Sequence, residues 1–522
     1  MDGNCTNSCQ GKARLLSRTW EAQVLASIRH HVTSQLYERD GLRTPRSVRS
    51  VKRSSGQTVI AMRPYLIFYA VAVLVSLLSL LVLRYSPHRK TAWTGLGLVL
   101  SGMGLWIWEV SEPSVVFSDF TVAYYPAGRA IVEDVPHMFT RCWDTPVCGF
   151  VNIPIVAFLF TPFSILTLRH AHWLFAGLSL ISLAISVWLL WSMTDQTPGR
   201  KWAILVLFAM NGPLFYSLKE GNLTHFVLLL LIAGVVCLDK TWDRSAGACF
   251  ALAAIIKLPL LLFACYFFGR RRWAAVLGYG ATLVTVSAAS LWYAGWASHA
   301  EWYREVILPF SNKGLTAFNV QSVEGFLLRL HNNAKLYDWK PVEVAGDIRM
   351  TGRVCAGLLM GLSCVLFLRH PGRHLRDTMY LELSMVLCLA LIISPISWTH
   401  YYLLLLLPLA LYAGKRLPIA GHGGWLAAMV LCILCISPPV TFMGQDGAVD
   451  GQIAKLFLSH YVIGALLLWG LLGYARWRAA EAQQLRLVTA SPGRPVSVPF
   501  HANQPGDSKR SDEQPGHEST GP

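Results

Sequence analysis

The sequence predicts an all-α polytopic membrane protein with about 12–13 transmembrane helices, since a helical span needs roughly 20 apolar residues and such runs recur from residue 64 to residue 477. Two further observations support this fold class. Charged residues make up only 14% of the 522-residue chain, where soluble domains carry about 25%. The chain also holds 19 Trp, 18 Tyr and 23 Phe, and aromatic rings suit a lipid–water boundary. Backbone polar groups in lipid must be paired internally, so the apolar runs are read as helices. The net charge of +16 does not point to nucleic acid. The basic residues lie in short loops and tails, where they orient spans and meet anionic lipid, and no nucleic-acid-binding module is present.

Residues 1–62 form a polar, basic tail. Within it Leu15, Leu16, Trp20, Val24, Leu25, Ile28, Val32 and Leu36 recur at near-helical spacing, the pattern of an amphipathic helix on a membrane surface. Met62 precedes Arg63-Pro64 and the first apolar run, and is an alternative start. The membrane domain covers 63–477. Its expected spans lie near 64–83, 93–110, 151–168, 172–193, 202–218, 223–238, 245–268, 274–293, 353–369, 379–397, 400–414, 422–440 and 457–477. Residues 478–522, rich in Pro, Ser, Gly and mixed charge, read as a disordered tail.

Lys and Arg in short loops set orientation. Arg84, Arg89 and Lys90 mark one cytoplasmic loop. Arg270 to Arg272 mark a second, Arg369, Arg373 and Arg376 a third, Lys415 and Arg416 a fourth, and Arg476 and Arg478 a fifth. Alternating spans satisfy all five together, but they place the basic N-terminal tail outside, a conflict that a start at Met62 relieves. The same alternation puts two long loops outside, 111–150 and 294–352, and a shorter one at 441–456. Loops this long are usually functional or disordered, and their Trp, Tyr, Phe and paired charges favour function. Cys142 and Cys148 flank residues 143–147 in the first loop; spacing alone leaves a disulfide between them open. The expected location is a cell (inner or plasma) membrane, crossed many times.

Several polar residues stand where chemistry is possible. Asp119 opens the first outer loop, followed by Tyr124, Tyr125, Arg129, Glu133, Asp134 and His137. A carboxylate at the mouth of a membrane bundle suits a general base; it equally suits the N-cap of a helix over 120–132. Lys257 lies inside an apolar run, where an ionisable group is costly; it can meet a phosphate, or pair with a carbonyl freed by Pro259. Lys219-Glu220-Gly221-Asn222 reads as a tight turn. Asn319, Gln321, Ser322, Glu324 and Arg329 cluster in the second loop, suited to sugar hydroxyls and a phosphate, or to an amphipathic surface helix. Trp398, His400, Tyr401 and Tyr402 mark an outer span end; an aromatic belt accounts for all of them but His400. There is no HExxH, paired CxxC, DxD, Walker loop or dinucleotide fingerprint, so no metal or cofactor is expected.

Four stretches in order, 118–139, 219–263, 318–330 and 394–409, resemble glycosyltransferase family 87 of the GT-C class. The resemblance implies a GT-C-like helical bundle with catalytic outer loops. It implies an inverting transfer of a hexose, most simply mannose, from a polyprenyl-phosphate donor to a glycolipid or envelope glycan at the outer face. It makes Asp119 the base. His400, Arg329 and Lys257, in that order, are then candidates for the donor phosphate, and Tyr124, Tyr125, Arg129, Asn319, Gln321 and Trp398 for substrate. Two features depart from the family's pattern. Lys219-Glu220-Gly221-Asn222 stands where Gly-Gln-x-Asn is common, and an extra span at 64–83 precedes the acidic loop. The rival readings are a transporter or lipid flippase, which commonly shows internal repeats that are not evident here, and a GT-C enzyme using another lipid-linked sugar such as arabinose.

Overall fold

The structure is a computed structural model that describes residues 117–133, 139, 149–194, 197–309, 313–331, 341–369, 376–438 and 452–489. The tails, the spans expected at 64–83 and 93–110, Asp134, His137 and the Cys142/Cys148 pair lie outside the described residues.

The chain is an all-α membrane protein. A π-helical turn at Phe120–Tyr124 runs into α1 (Tyr125–Val132), followed by the short α2 (Pro154–Phe158) and α3 (Thr161–Ser164). Then come α4 (Leu168–Met193), α5 (Pro198–Ala209), α6 (Gly212–Glu220), α7 (Thr224–Asp239) and α8 (Asp243–Ile256). A 3₁₀ turn at Leu258–Leu261 leads to α9 (Leu262–Gly269) and α10 (Trp273–Trp302), which breaks at Gly295 and continues as a π turn over Tyr303–Ile307. β1 (Lys313–Gly314) pairs antiparallel with β2 (Val342–Glu343) around α11 (Val323–His331). The described chain closes with α12 (Gly346–Leu368), α13 (Arg376–Ile393), a 3₁₀ segment Thr399–Leu405, α14 (Leu406–Ala413), α15 (Gly423–Ile436), α16 (Gln452–Leu458) and α17 (His460–Thr489).

Among the described residues α4, the Trp273–Ile307 helix and α12 are each long and apolar enough to cross a membrane, and α5 with α6 form a fourth span bent by 52°. The bend follows from Asn211, whose side chain accepts from Leu214 N (2.8 Å) and caps a new helix with Pro213 in its first turn. The run at 151–168 departs from expectation. Instead of one span it folds as α2 and α3, because Pro154 and Pro162 each open a fresh helix and the residue before a proline resists the helical region. This segment packs with the 117–132 region: Tyr124 stacks on Phe160 at 4.7 Å, and Phe120 meets Phe175 of α4 at 4.7 Å.

Helices α7, α8 and α10 pack side by side. A Cβ at Gly247 of α8 would strike the Ala275 carbonyl, and one at Gly278 of α10 the Arg244 carbonyl, so these glycines set the close approach. At one end of the bundle, four of the five expected basic loops converge. Arg270 and Arg476 both bind the buried Glu382, with Arg270 Nε–Oε2 at 2.7 Å and Arg476 Nε–Oε1 at 2.8 Å. Arg476 Nη2 also donates to the Arg369 carbonyl at 3.1 Å. Arg376 and Arg416 both reach Asp239, at 3.5 and 4.0 Å. Arg84, Arg89 and Lys90 lie outside the described residues. Asp239 ends α7, a 16-residue helix that spans about 24 Å at 1.5 Å per residue, so the residues at the N-terminus of α7 lie at the opposite end from this basic cluster.

Candidate active site

The site is assembled at that opposite end, from four places where a helix breaks. Asp119 stands just before the π turn and has helical dihedrals, yet its side chain makes no capping hydrogen bond. Its Oδ2 instead accepts from Asn222 Nδ2 at 2.8 Å. Asn222 follows Gly221, whose φ of +68° ends α6 in the left-handed region. A Cβ at Gly221 would lie 2.7 Å from Phe120 Cβ and 2.9 Å from Phe117 Cδ1, so glycine also permits the 117–120 segment to close on this turn. Phe117 N donates to Lys219 O at 2.6 Å and fastens the two segments together.

Asn222 is buried and fully engaged. Its Oδ1 accepts from Thr224 N (3.1 Å) and Thr224 Oγ1 (2.6 Å), which turns the NH₂ group toward Asp119 and places it 3.5 Å from the Tyr124 hydroxyl. Lys257 Nζ lies 3.5 Å from the same Oδ1. Lys257 itself sits in extended backbone (φ −132°, ψ 93°) between α8 and the 3₁₀ turn, at the break that Pro259 enforces. Its ammonium stands over the Tyr401 ring, 4.2 Å from the centroid. Enclosure by protein raises the proton affinity of Asp119, while the Asn222 hydrogen bond and the Lys257 charge pull it back down.

His400 completes the cluster. It is 6% exposed, its ring stacks with Tyr216 at 6.1 Å and meets Tyr401 edge-on at 5.0 Å. Neither ring nitrogen has a partner among the described residues. A buried imidazole with both nitrogens unsatisfied is costly in a closed core and is expected where a ligand binds. The Tyr216 hydroxyl is hydrogen-bonded to the Asn319 side chain, which brings the second loop to the same place. That loop is laced to the His400 segment by Thr399 N to Asn319 O (2.8 Å), Gln321 N to Ser397 O (2.6 Å) and a bridge between Val320 and Trp398.

The structure thus gathers Asp119, Tyr124, Lys257, His400 and, through Tyr216, Asn319. It places the other sequence candidates elsewhere. Tyr125 donates to the Leu166 carbonyl at 2.9 Å. Arg129 is exposed and pairs with Glu133 one helical turn away, at 2.6 Å. Gln321 spends its amide on the Phe318 and Leu458 carbonyls, at 2.8 and 2.9 Å. Trp398 packs on Leu315, Ala317 and Val320. Arg329 is fully buried, and all three of its nitrogens are engaged: Nε and Nη2 with Ser459 Oγ (3.2 and 2.9 Å), Nη1 with the Ala317 and Val320 carbonyls. Arg329 therefore holds the second loop in shape, and its guanidinium is not free for a phosphate. Four residues to which the sequence assigned no site role join the site: Glu220 and Asn222, read as part of a turn, Tyr401, read as part of an aromatic belt, and Tyr216, which was not singled out. Gly221 was the available signal, since the turn it marks is what presents Asn222.

The sequence profile of glycosyltransferase family 87 matches residues 150–395. The matched span includes Asn222, Lys257 and Asn319; Asp119 precedes it and His400 follows it. A relative from Mycolicibacterium smegmatis, named polyprenol-phosphate-mannose-dependent alpha-(1-2)-phosphatidylinositol mannoside mannosyltransferase, is 22% identical over 359 residues, covering 64% of this chain and 78% of its own length. A protein of the same name from Mycobacterium tuberculosis is 24% identical over 344 residues, covering 61% and 75%. By these likenesses the chain is similar to the membrane glycosyltransferases of family 87.

Proposed function

We propose that this membrane glycosyltransferase moves a mannosyl group from a polyprenyl-phosphate donor to a phosphatidylinositol-mannoside-like glycolipid, or a related envelope glycan, with inversion at the anomeric carbon. The observation that carries the reading is the cluster itself: a carboxylate with one oxygen held by Asn222, a buried ammonium beside it, and a buried imidazole with two free nitrogens. A lipid-phosphate sugar requires three things of a site, namely a base for the incoming hydroxyl, positive charge or donors for the departing phosphate, and apolar walls.

In this reading Asp119 takes the proton of the acceptor hydroxyl. The oxygen attacks the anomeric carbon from the face opposite the phosphate, the bond from that carbon to the phosphate oxygen breaks, and the electron pair leaves with the polyprenyl phosphate. Lys257 and an N–H of the His400 ring stabilise that anion. Arg329 has no part in this step. Asn222 keeps Asp119 pointed and ionised. Tyr124, Tyr216, Tyr401 and Asn319 line the sugar-facing side. The lipid-linked sugar is a substrate, and no cofactor is assigned.

The location follows from charge. Basic short loops favour the cytoplasmic side, so the Arg270–Glu382–Arg476 end is assigned there and the site to the outer face, where the donor sugar would be reached. The test is transfer by the purified protein from polyprenyl-phosphate mannose to a phosphatidylinositol mannoside in detergent. Mannosylated product with inverted configuration is expected. Silence with this donor, together with turnover of an arabinosyl or another lipid-linked donor, would overturn the assignment of mannose.

A further inference from the structure

The base does not stand next to an amide turn alone. Glu220, the last residue of α6, reaches back to the segment that carries Asp119. Its Oε2 accepts a hydrogen bond from Ser118 Oγ, the residue immediately before Asp119. Its Oε1 lies 3.9 Å from Lys219 Nζ, and the carboxylate is 13% exposed. With the Phe117 N to Lys219 O bond, this contact closes a clamp across 117–118 and 219–220. The clamp immediately precedes Gly221 and the Asn222 amide that holds Asp119. The Asp119 charge also acts on Glu220, and both carboxylates act on Tyr216.

We propose that Glu220 is a positioning residue of the transfer reaction: through Ser118 it fixes the segment that presents Asp119, and it places a second carboxylate beside the base. This rests on the glycosyl-transfer reading for its kinetic consequence, but the geometry exists without it. The role is not that of a surface ion pair. Glu220 is mostly covered, and its hydrogen-bond partner is adjacent in sequence to the base. Nor is the carboxylate required for the hydrogen bond as such, because a Gln oxygen would accept from Ser118 equally well. What the carboxylate adds is charge. A negative neighbour disfavours ionisation, so the Asp119 charge bears on the ionisation of Glu220 and the two titrate as a coupled pair. The other titratable or charged groups facing Asp119 are Lys257, Tyr124, Tyr401 and Tyr216; those facing Glu220 are Lys219 and Tyr216.

The test compares Glu220→Gln, Glu220→Ala and Ser118→Ala in the full-length purified protein, with folding checked by size exclusion and thermal unfolding. Two readouts are taken. The first is transfer kinetics. Glu220→Gln is expected to keep kcat within about threefold, while the two Ala variants lose about tenfold or more in kcat with KM little changed, as displacement of a reacting group does. The second needs no substrate: pH-dependent labelling of Glu220 by dicyclohexylcarbodiimide, which modifies protonated carboxyls, read by mass spectrometry. Removing the negative neighbour in Asp119→Asn is expected to move the Glu220 labelling midpoint down by about half a pH unit or more. An unchanged midpoint, or Ala variants with wild-type kcat, would overturn the proposal. So would complete loss of transfer in a folded Glu220→Gln at every pH, since Glu220 would then meet the reacting atoms itself. If the wild-type protein fails to use the mannosyl donor, the function reading fails and the labelling midpoint still decides this one.

Discussion

Replacing Asn222 by Ala should move the acid limb of the transfer reaction upward in pH rather than abolish it. Asn222 donates to Asp119 Oδ2 at 2.8 Å from a buried position, and its amide is oriented by two bonds from Thr224. A hydrogen bond to a charged group contributes about 1.5–3 kcal/mol, and 1.36 kcal/mol corresponds to one pKa unit. The bond favours the ionised form, so its loss raises the proton affinity of Asp119, by about 1–2 units on those figures. Below the new limb the rate should fall about tenfold per pH unit, and it should recover toward wild type as pH rises above it. The assay is kcat against pH with a saturating lipid-phosphate donor. Thr224→Val, which removes one of the two bonds orienting the amide, should shift the limb in the same direction by less. A limb that stays in place, or a loss equal at every pH, would refute the idea that Asn222 acts on the ionisation of Asp119.

Three further outcomes follow. Asp119→Asn should lower transfer by about 10²–10⁴-fold, the usual cost of losing a general base. The same variant should melt at a temperature no lower than wild type at neutral pH: a carboxyl that holds its proton more tightly folded than unfolded loses stability as pH rises from the ordinary carboxyl range, and Asn escapes this, so the difference should vanish in acid. His400→Phe should be stably made but lose about 10–150-fold in transfer, from a lost contact of about 1.5–3 kcal/mol, with His400→Gln retaining more; parity of both variants with wild type would move the leaving-group role to Lys257. Single cysteines beside Asp119 should react with an impermeant thiol reagent in intact cells lacking Cys142 and Cys148, and cysteines at Arg270 to Arg272 should not; the reverse pattern would invert the topology and remove donor access at the outer face.

Much of the fold was legible because hydropathy is a local property. The run at 172–193 became α4, that at 274–293 lies within α10, and that at 353–369 ends one residue past α12. The run at 151–168 misled because composition looks the same whether or not prolines divide it. The basic loops were informative for a different reason: Glu382 gathers Arg270 and Arg476, Asp239 gathers Arg376 and Arg416, and the Arg369 carbonyl accepts from Arg476, a convergence that charge counting anticipates without naming the carboxylates. The site was partly legible. Asp119, Lys257 and His400 stand out as polar groups against apolar runs. Asn222 does not, since its partner is 103 residues away and its own surroundings read as a turn, which it also is. Arg329 misled in the opposite sense. A sequence shows an arginine in a polar loop, but not that Ser459 and two carbonyls already occupy its nitrogens.

The site and the breaks in the helices are the same feature. Asp119 precedes a π turn, Asn222 follows a left-handed glycine, Lys257 lies in extended backbone between α8 and a 3₁₀ turn, and His400 lies in the 3₁₀ segment before α14. An unbroken helix in lipid hides its backbone and offers only side chains on its flanks. Irregular backbone at that depth is tolerated where it is buried in protein or lines a cavity, and here the irregular segments meet one another. Breaking four helices at one level lets their ends converge, so that short side chains such as Asp119 and Asn222 come within 2.8 Å. It also explains why spans read as short in sequence, such as 400–414, coincide with candidate chemistry: the missing helical residues are those given over to the site. An engineered Pro259→Ala, which favours helix through Lys257, should therefore impair transfer more than it impairs folding, because it straightens the backbone that lets the ammonium reach Asn222. Purified Pro259→Ala that unfolds at or above the wild-type temperature yet loses about tenfold in kcat would bear this out. Wild-type turnover in that variant would show that the break at Lys257 is incidental to the site.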